Sequence, residues 1–139
     1  DFDPLQVNQV KPLFNGDEAT FVDRDDAVSE LSPIVDYLLE HPDYTVILAE
    51  TTATAGTNEQ CKELSLRRAE AVRQLMIDMG TSETQIKHVI GLGYDHEFHV
   101  EDLNADGSLN EKNAPENRAV LVIGTSTEAA QILEKYYIE

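Results

Sequence analysis

The chain has 139 residues, 41% of them hydrophobic, with a mean hydropathy of −0.36, which suits one globular domain with its own core. Its formal net charge of −17 excludes the broad basic face that nucleic acid or an anionic membrane surface requires. No window approaches the roughly 20 apolar residues of a membrane helix, no signal peptide is legible, and Cys61, the single cysteine, permits no internal disulfide.

Residues 1–12 carry no period and have prolines at 4 and 12, so they read as an extended lead-in. A short strand pair is expected across Leu13-Phe14 and Ala19 to Val22, around the turn signal Asn15-Gly16. Asp23 to Glu40 reads as a helix. Ala27, Leu31, Ile34 and Leu38 repeat at three and four, the aspartates at its start suit the positive end of the dipole, and Pro33 is its one flaw. His41-Pro42-Asp43 breaks the chain. Tyr44 to Ala49 is a nearly continuous apolar run, as expected of a strand buried in a sheet.

A Thr/Ala/Gly loop over residues 50–56 leads into a second helix, Thr57 to Gly80. At about 100° per residue its stripe holds Leu64, Ala71, Val72, Leu75 and Met79. Arg68 falls in the middle of that stripe. A guanidinium keeps its charge and needs acceptors when desolvated, so Arg68 either snorkels or is aimed at an anion. Cys61, at the stripe's edge, reads as a small buried hydrophobe. Thr81 to Gln85 forms a turn and Ile86 to Gly91 a further strand. Residues 94–117 form a long polar loop, of a kind that is often functional. Ala119 to Ile123 is the last strand and Thr125 to Tyr137 the last helix. The order β-α-β-α-β-loop-β-α gives one sheet covered by helices, with no internal repeat.

Several strings in this order resemble the OmpA-like domain, the peptidoglycan-associating module of bacterial envelopes. They are Leu13-Phe14 with Asp17 to Phe21, Pro42-x-Tyr44-x-Val46-Ile47-Leu48, Thr52-x-x-x-Gly56, Leu64-Ser65-x-x-Arg68-Ala69, Gly91-x-Gly93-Tyr94, and Asn117-Arg118-x-Val120. The resemblance covers residues 13–123. It implies a two-layer α/β sandwich with a β-α-β-α-β core, a mixed sheet and helices packed on one face, formed by a single domain over 13–139. It also implies a non-catalytic, extracytoplasmic module of the cell envelope, as in outer-membrane proteins. The implied partner is peptidoglycan or another cell-wall peptide. Membrane attachment is expected only through flanking segments of a longer protein, since the sequence starts abruptly at Asp1.

In that family a loop aspartate meets the amine of the stem's diaminopimelate, and the helix arginine meets its carboxylate, a chemically complementary pairing. By resemblance the ligand-binding positions are Arg68, the loop residues Thr52, Ala53 and Thr54, and Asn117 with Arg118. Four positions depart from the pattern. Ala53 stands where the aspartate belongs, Cys61 replaces an asparagine, Ala119 replaces an arginine, and Glu50 replaces a glycine. Losing one partner of a buried charge pair costs on the order of 2–5 kcal/mol. Three readings follow: a different wall peptide such as an amidated or lysine-type stem, another carboxylate ligand, or a retained fold with a decayed site that serves structure or protein interaction.

Two further patterns bear on metals, the only cofactors at issue. Asp102, Asn104, Asp106 and Ser108 follow the first half of a calcium loop, D-x-N-x-D-G, but Asn113 stands where the bidentate Glu belongs. A polar turn is the competing reading. His96, Glu97, His99 and Glu101 form H-E-x-H-x-E, which lacks the i,i+4 histidines of a helical zinc site, and an exposed polar loop is expected. No GxSxG, P-loop or dinucleotide fingerprint appears, so no enzyme is expected.

Overall fold

The computed structural model describes residues 7–10, 21–54, 56–96, 99–110, 112–113, 117 and 119–138. Its elements are β1 (Val7–Val10), α1 (Arg24–Glu40), β2 (Val46–Thr51), α2 (Asn58–Asp78), β3 (Ile86–Gly93), β4 (Val120–Gly124) and α3 (Glu128–Ile138). One 3-10 turn, Glu83–Gln85, precedes β3. The sheet order is β1-β4-β2-β3. β2 and β3 run parallel, with α2 as their crossover, while β4 is antiparallel to both β2 and β1. The fold is therefore the mixed α/β arrangement expected.

All six residues of β2 are buried, because the strand is covered on both faces. Val46 and Leu48 pack with Leu31, Leu38, Val72 and Met76 of α1 and α2. Ile47 and Ala49 point the other way and pack with Leu121, Ile123 and the α3 residues Ala130 and Leu133. The two helices of the β-α-β-α-β core thus share one face, as the sequence implied, and α3 adds a layer on the reverse side. The extended lead-in supplies more than a tether: Val7 to Val10 pairs with β4, Val10 opposite Val120. The strand pair expected over residues 13–22 lies outside the described residues except for Phe21, which packs against the core, and Val22.

α2 starts as its sequence dictates. Thr57 is the N-cap, accepting the Gln60 N–H at 3.2 Å, and the Gln60 side chain accepts the Thr57 N–H at 3.3 Å. The buried stripe is Cys61, Ser65, Arg68, Ala69, Val72, Leu75 and Met76. It is rotated from the expected one, because the helix lies so close to β3 that small residues must face the strand. Gly91 makes this approach possible: a Cβ there would fall on the Lys62 carbonyl oxygen and 2.5 Å from the Leu66 nitrogen. Gly93 has φ of 64°, and a Cβ on it would meet the Asn58 carboxamide at 2.6 Å. α1 runs through Pro33, whose ring is exposed. No described helix is long and apolar enough to cross a membrane.

Candidate functional site

The C-terminal ends of β2 and β3, the first half of α2 and part of the long loop meet at one end of the sheet. Backbone hydrogen bonds wire this end together. Thr52 donates its N–H to Gly93 at 2.9 Å, and Thr51 donates to Ala119 at 2.9 Å. The Thr51 hydroxyl adds bonds to both backbone groups of Ala119. Ser65, on the buried face of α2, accepts the Gly93 N–H at 3.1 Å. Asn58 accepts the N–H groups of Tyr94 and Asp95, both at 3.0 Å. The residues of Thr52-x-x-x-Gly56, L-S-x-x-R-A and Gly91-x-Gly93-Tyr94, scattered in sequence, are thus assembled on one scaffold.

Arg68 lies one turn beyond Ser65 and is 8% exposed. The expectation that its guanidinium sits on the buried stripe is met. Glu50, which stands where the family has a glycine, is not among the ligand-binding positions taken by resemblance. It is 2% exposed, and its place in β2, in step with Val46 and Leu48, turns its side chain toward α2. Its neighbours across the sheet are Gly91 and Val120. Oε2 of Glu50 is buried with no hydrogen-bond partner among the described residues. Burial pushes its carboxyl well above the usual glutamate value, and the Arg68 charge offsets this only in part. The period-two alternation of β2 was the available signal: an acid at the next inward position of an apolar strand.

Ala53 is buried, as are Thr52, whose hydroxyl has no hydrogen-bond partner among the described residues, and Cys61. Thr54 is held from across the chain. Its N–H and hydroxyl both donate to the Asp102 carboxylate, at 2.9 Å and 2.6 Å. Asn117 donates to the same carboxylate at 2.9 Å and to the Val100 carbonyl at 2.6 Å, and accepts the Val100 N–H at 2.9 Å. Asp102 is fully buried. Burial alone would raise its carboxyl, but the Thr54 and Asn117 donors and the nearby His99 hold it below the usual aspartate value. Asn117 therefore belongs with the loop residues, through Asp102. Arg118 lies outside the described residues.

The same bonds involve the first residue of the calcium pattern. Asp102 is turned inward onto Thr54 and Asn117, whereas Asn104, Asp106 and Ser108 are exposed in a tight turn. Asp106 accepts the Ser108 N–H and hydroxyl at 2.9 Å and 2.6 Å. Gly107 completes the turn with φ of 88°, and Leu103 and Leu109 bridge across it. In this arrangement the Asp102 carboxylate and Asp106 Oδ1 accept hydrogen bonds from within the protein. Of the H-E-x-H-x-E run, Glu97 lies outside the described residues. The His96 and His99 rings meet edge to face at 5.8 Å. Burial, with the His99 charge beside it, lowers the His96 pKa to about 4. Among the described residues no group of three or more His, Cys, Asp or Glu side chains is arranged to hold a metal ion.

Comparison with solved structures agrees with this architecture. The peptidoglycan-associated lipoprotein of Burkholderia pseudomallei superposes with a TM-score of 0.60 at 22% identity, over 84% of this chain and 88% of that one. The periplasmic domain of Helicobacter pylori MotB gives 0.61 at 17% identity, over 99% and 86%. The OmpA-like domain of FopA1 from Francisella tularensis gives 0.57 at 22% identity, over 82% and 69%. No curated protein matches the sequence. A sequence model of the OmpA family matches residues 13–118, which span most of the chain and contain β2, α2, β3 and the assembled loop, and the chain therefore belongs to the OmpA family.

Proposed function

We propose that this domain is a non-catalytic, extracytoplasmic binding module, part of a longer envelope protein, that holds a peptidoglycan stem peptide or a related cell-wall peptide by its carboxylate. The observation that carries the reading is Arg68: a buried guanidinium on α2, at the end of the sheet where the Thr52–Thr54 loop is fixed. A desolvated guanidinium fork matches a carboxylate in shape and charge. The likeness to a peptidoglycan-associated lipoprotein supports the ligand class. The formal net charge of −17 argues against nucleic acid as a partner.

Retention on purified sacculi tests this. Wild type and Arg68→Ala are compared on walls with diaminopimelate-type and lysine-type stems. Selective loss of retention in the variant is expected on at least one wall, and equal retention on both removes Arg68 from the function. Ala53 favours a second reading. A buried methyl where an acid would meet an amine suits a domain that keeps the fold for structure or protein contact. That reading predicts no retention by either protein.

A further inference from the structure

The long loop is tied to the 50–56 loop through Asp102, and two imidazole rings sit at that tie. His99 Nε2 lies 3.6 Å from Asp102 Oδ1 and 3.4 Å from the Thr54 hydroxyl, two groups that bond each other at 2.6 Å. The His99 side chain is 20% exposed, and its Nδ1 is buried with no hydrogen-bond partner among the described residues. The His96 ring meets it edge to face at 5.8 Å, and the Tyr94 ring lies 6.4 Å from it. Asp95 is the anion that acts on His96, and Gly93 gives that ring a backbone hydrogen bond. Glu101, on the same loop, is turned to the Leu103 N–H. α2 faces this corner with Asn58, which holds the Asp95 N–H, and with the Lys62 stem, which passes Gly93. The 50–56 loop faces it with Thr54. One proton on the ring pair finds a counter-charge in Asp102, through His99. A second proton sets two like charges 5.8 Å apart in a half-buried corner.

We propose that the His96–His99 pair is an acid-operated catch on the long loop, closed while at most one ring is charged and released when both are, which frees Asp102 from Thr54. Burial, and then the His99 charge, lower the His96 pKa to about 4, against 6.5 for a solvated ring. The released loop therefore takes up its proton near 6.5 and the closed loop only near 4. The closed state loses ground as pH falls through 6.5, and the loss levels off below about 4. Asp102 stays ionised across this window, because its carboxyl lies below the usual aspartate value. Release thus comes from the rings and not from neutralising the acceptor. The catch governs how the loop is attached and is independent of what Arg68 binds.

Amide hydrogen exchange followed by NMR, with protection corrected for the intrinsic rate at each pH, reads the catch at the Thr54 N–H, which donates to Asp102. The Thr51 N–H, bonded to Ala119, is the control. At about pH 5, linkage between values of 6.5 and about 4 favours release about thirtyfold over pH 8. The partial exposure of the ring screens part of this. Protection at Thr54 should therefore fall at least about tenfold between pH 8 and about pH 5, while that at Thr51 holds. His96→Gln should keep Thr54 protection level over the same range. His99→Gln, which removes the like charge, should show a smaller fall than wild type. In wild type, Thr54 protection that does not change, or Thr51 falling in step with Thr54, overturns the proposal. So does a fall as large as that of wild type in either variant.

Discussion

Replacing Asp102 with alanine removes the acceptor that joins two distant stretches of chain. Thr54 loses the partner of its N–H at 2.9 Å and of its hydroxyl at 2.6 Å, and Asn117 loses one bond at 2.9 Å. A hydrogen bond to a charged acceptor contributes about 1.5–3 kcal/mol, and a buried donor left unmatched costs a similar amount. The Thr54 hydroxyl can turn elsewhere, with His99 Nε2 at 3.4 Å, and Asn117 keeps the Val100 carbonyl. The net loss then falls mainly on the Thr54 N–H and half of the Asn117 amide, about 3 kcal/mol in total. For a domain of this length that is a drop in Tm of about 10 °C. Calorimetric melting at pH 7, with urea titration for the free energy, measures it. The pH dependence has a definite sign. The folded Asp102 carboxyl lies below its usual value, so its contribution is fully present above the unfolded value near pH 4 and is lost as pH falls through the folded value. The gap between wild type and Asp102→Ala should narrow on acidification. A loss below about 1 kcal/mol at pH 7 would refute the clamp.

Glu50 should behave in the opposite sense. Its folded carboxyl is raised, so its stabilising contribution is present below the unfolded value near pH 4.5 and is lost as pH rises through the folded one. Urea titration of Glu50→Gln should therefore show stability equal to or above wild type at pH 8, with the advantage shrinking at pH 4. Gly91→Ala should lose about 1–3 kcal/mol in the same assay, since the obstructing atoms are α2 backbone. Millimolar calcium should leave Tm where an equal ionic strength of sodium leaves it, because Asp102 is committed to Thr54 and Asn117; a rise specific to calcium would restore the cation reading.

The main elements were legible where local chemistry and packing agree. β2 is an apolar run because it is covered on both faces, and α2 begins at Thr57 because Thr57 and Gln60 satisfy its first N–H groups. The place of Arg68 on the buried stripe followed from helical period alone. The exact stripe did not, since Ser65 and Ala69 face the sheet for want of room, a demand made by Gly91 on another strand. β1 was read only as extended: its sequence, VNQV, has polar residues in the middle, and pairing with β4 makes it a strand. Asp102 is a different case. Its spacing to Asn104 and Asp106 suggested a cation, while its partners lie 48 and 15 residues away, at Thr54 and Asn117. No local pattern reports a contact at that separation.

Asp102 and Glu50 show how burial alone fails to fix the state of a buried acid. Both are almost wholly buried, and desolvation is the largest influence on each. The difference lies in what surrounds the oxygens. Donors on Thr54 and Asn117 occupy those of Asp102, so its charge is stabilised in the folded protein before any ligand arrives, and an ammonium there would have to displace bonds already made. Glu50 has the Arg68 charge on the facing helix, and its Oε2 is buried with no hydrogen-bond partner among the described residues. Two carboxyls pushed in opposite directions mark separate roles. The domain carries a carboxyl group close enough to Arg68 to feel its charge, on the strand and under α2, and burial raises that carboxyl despite the cation.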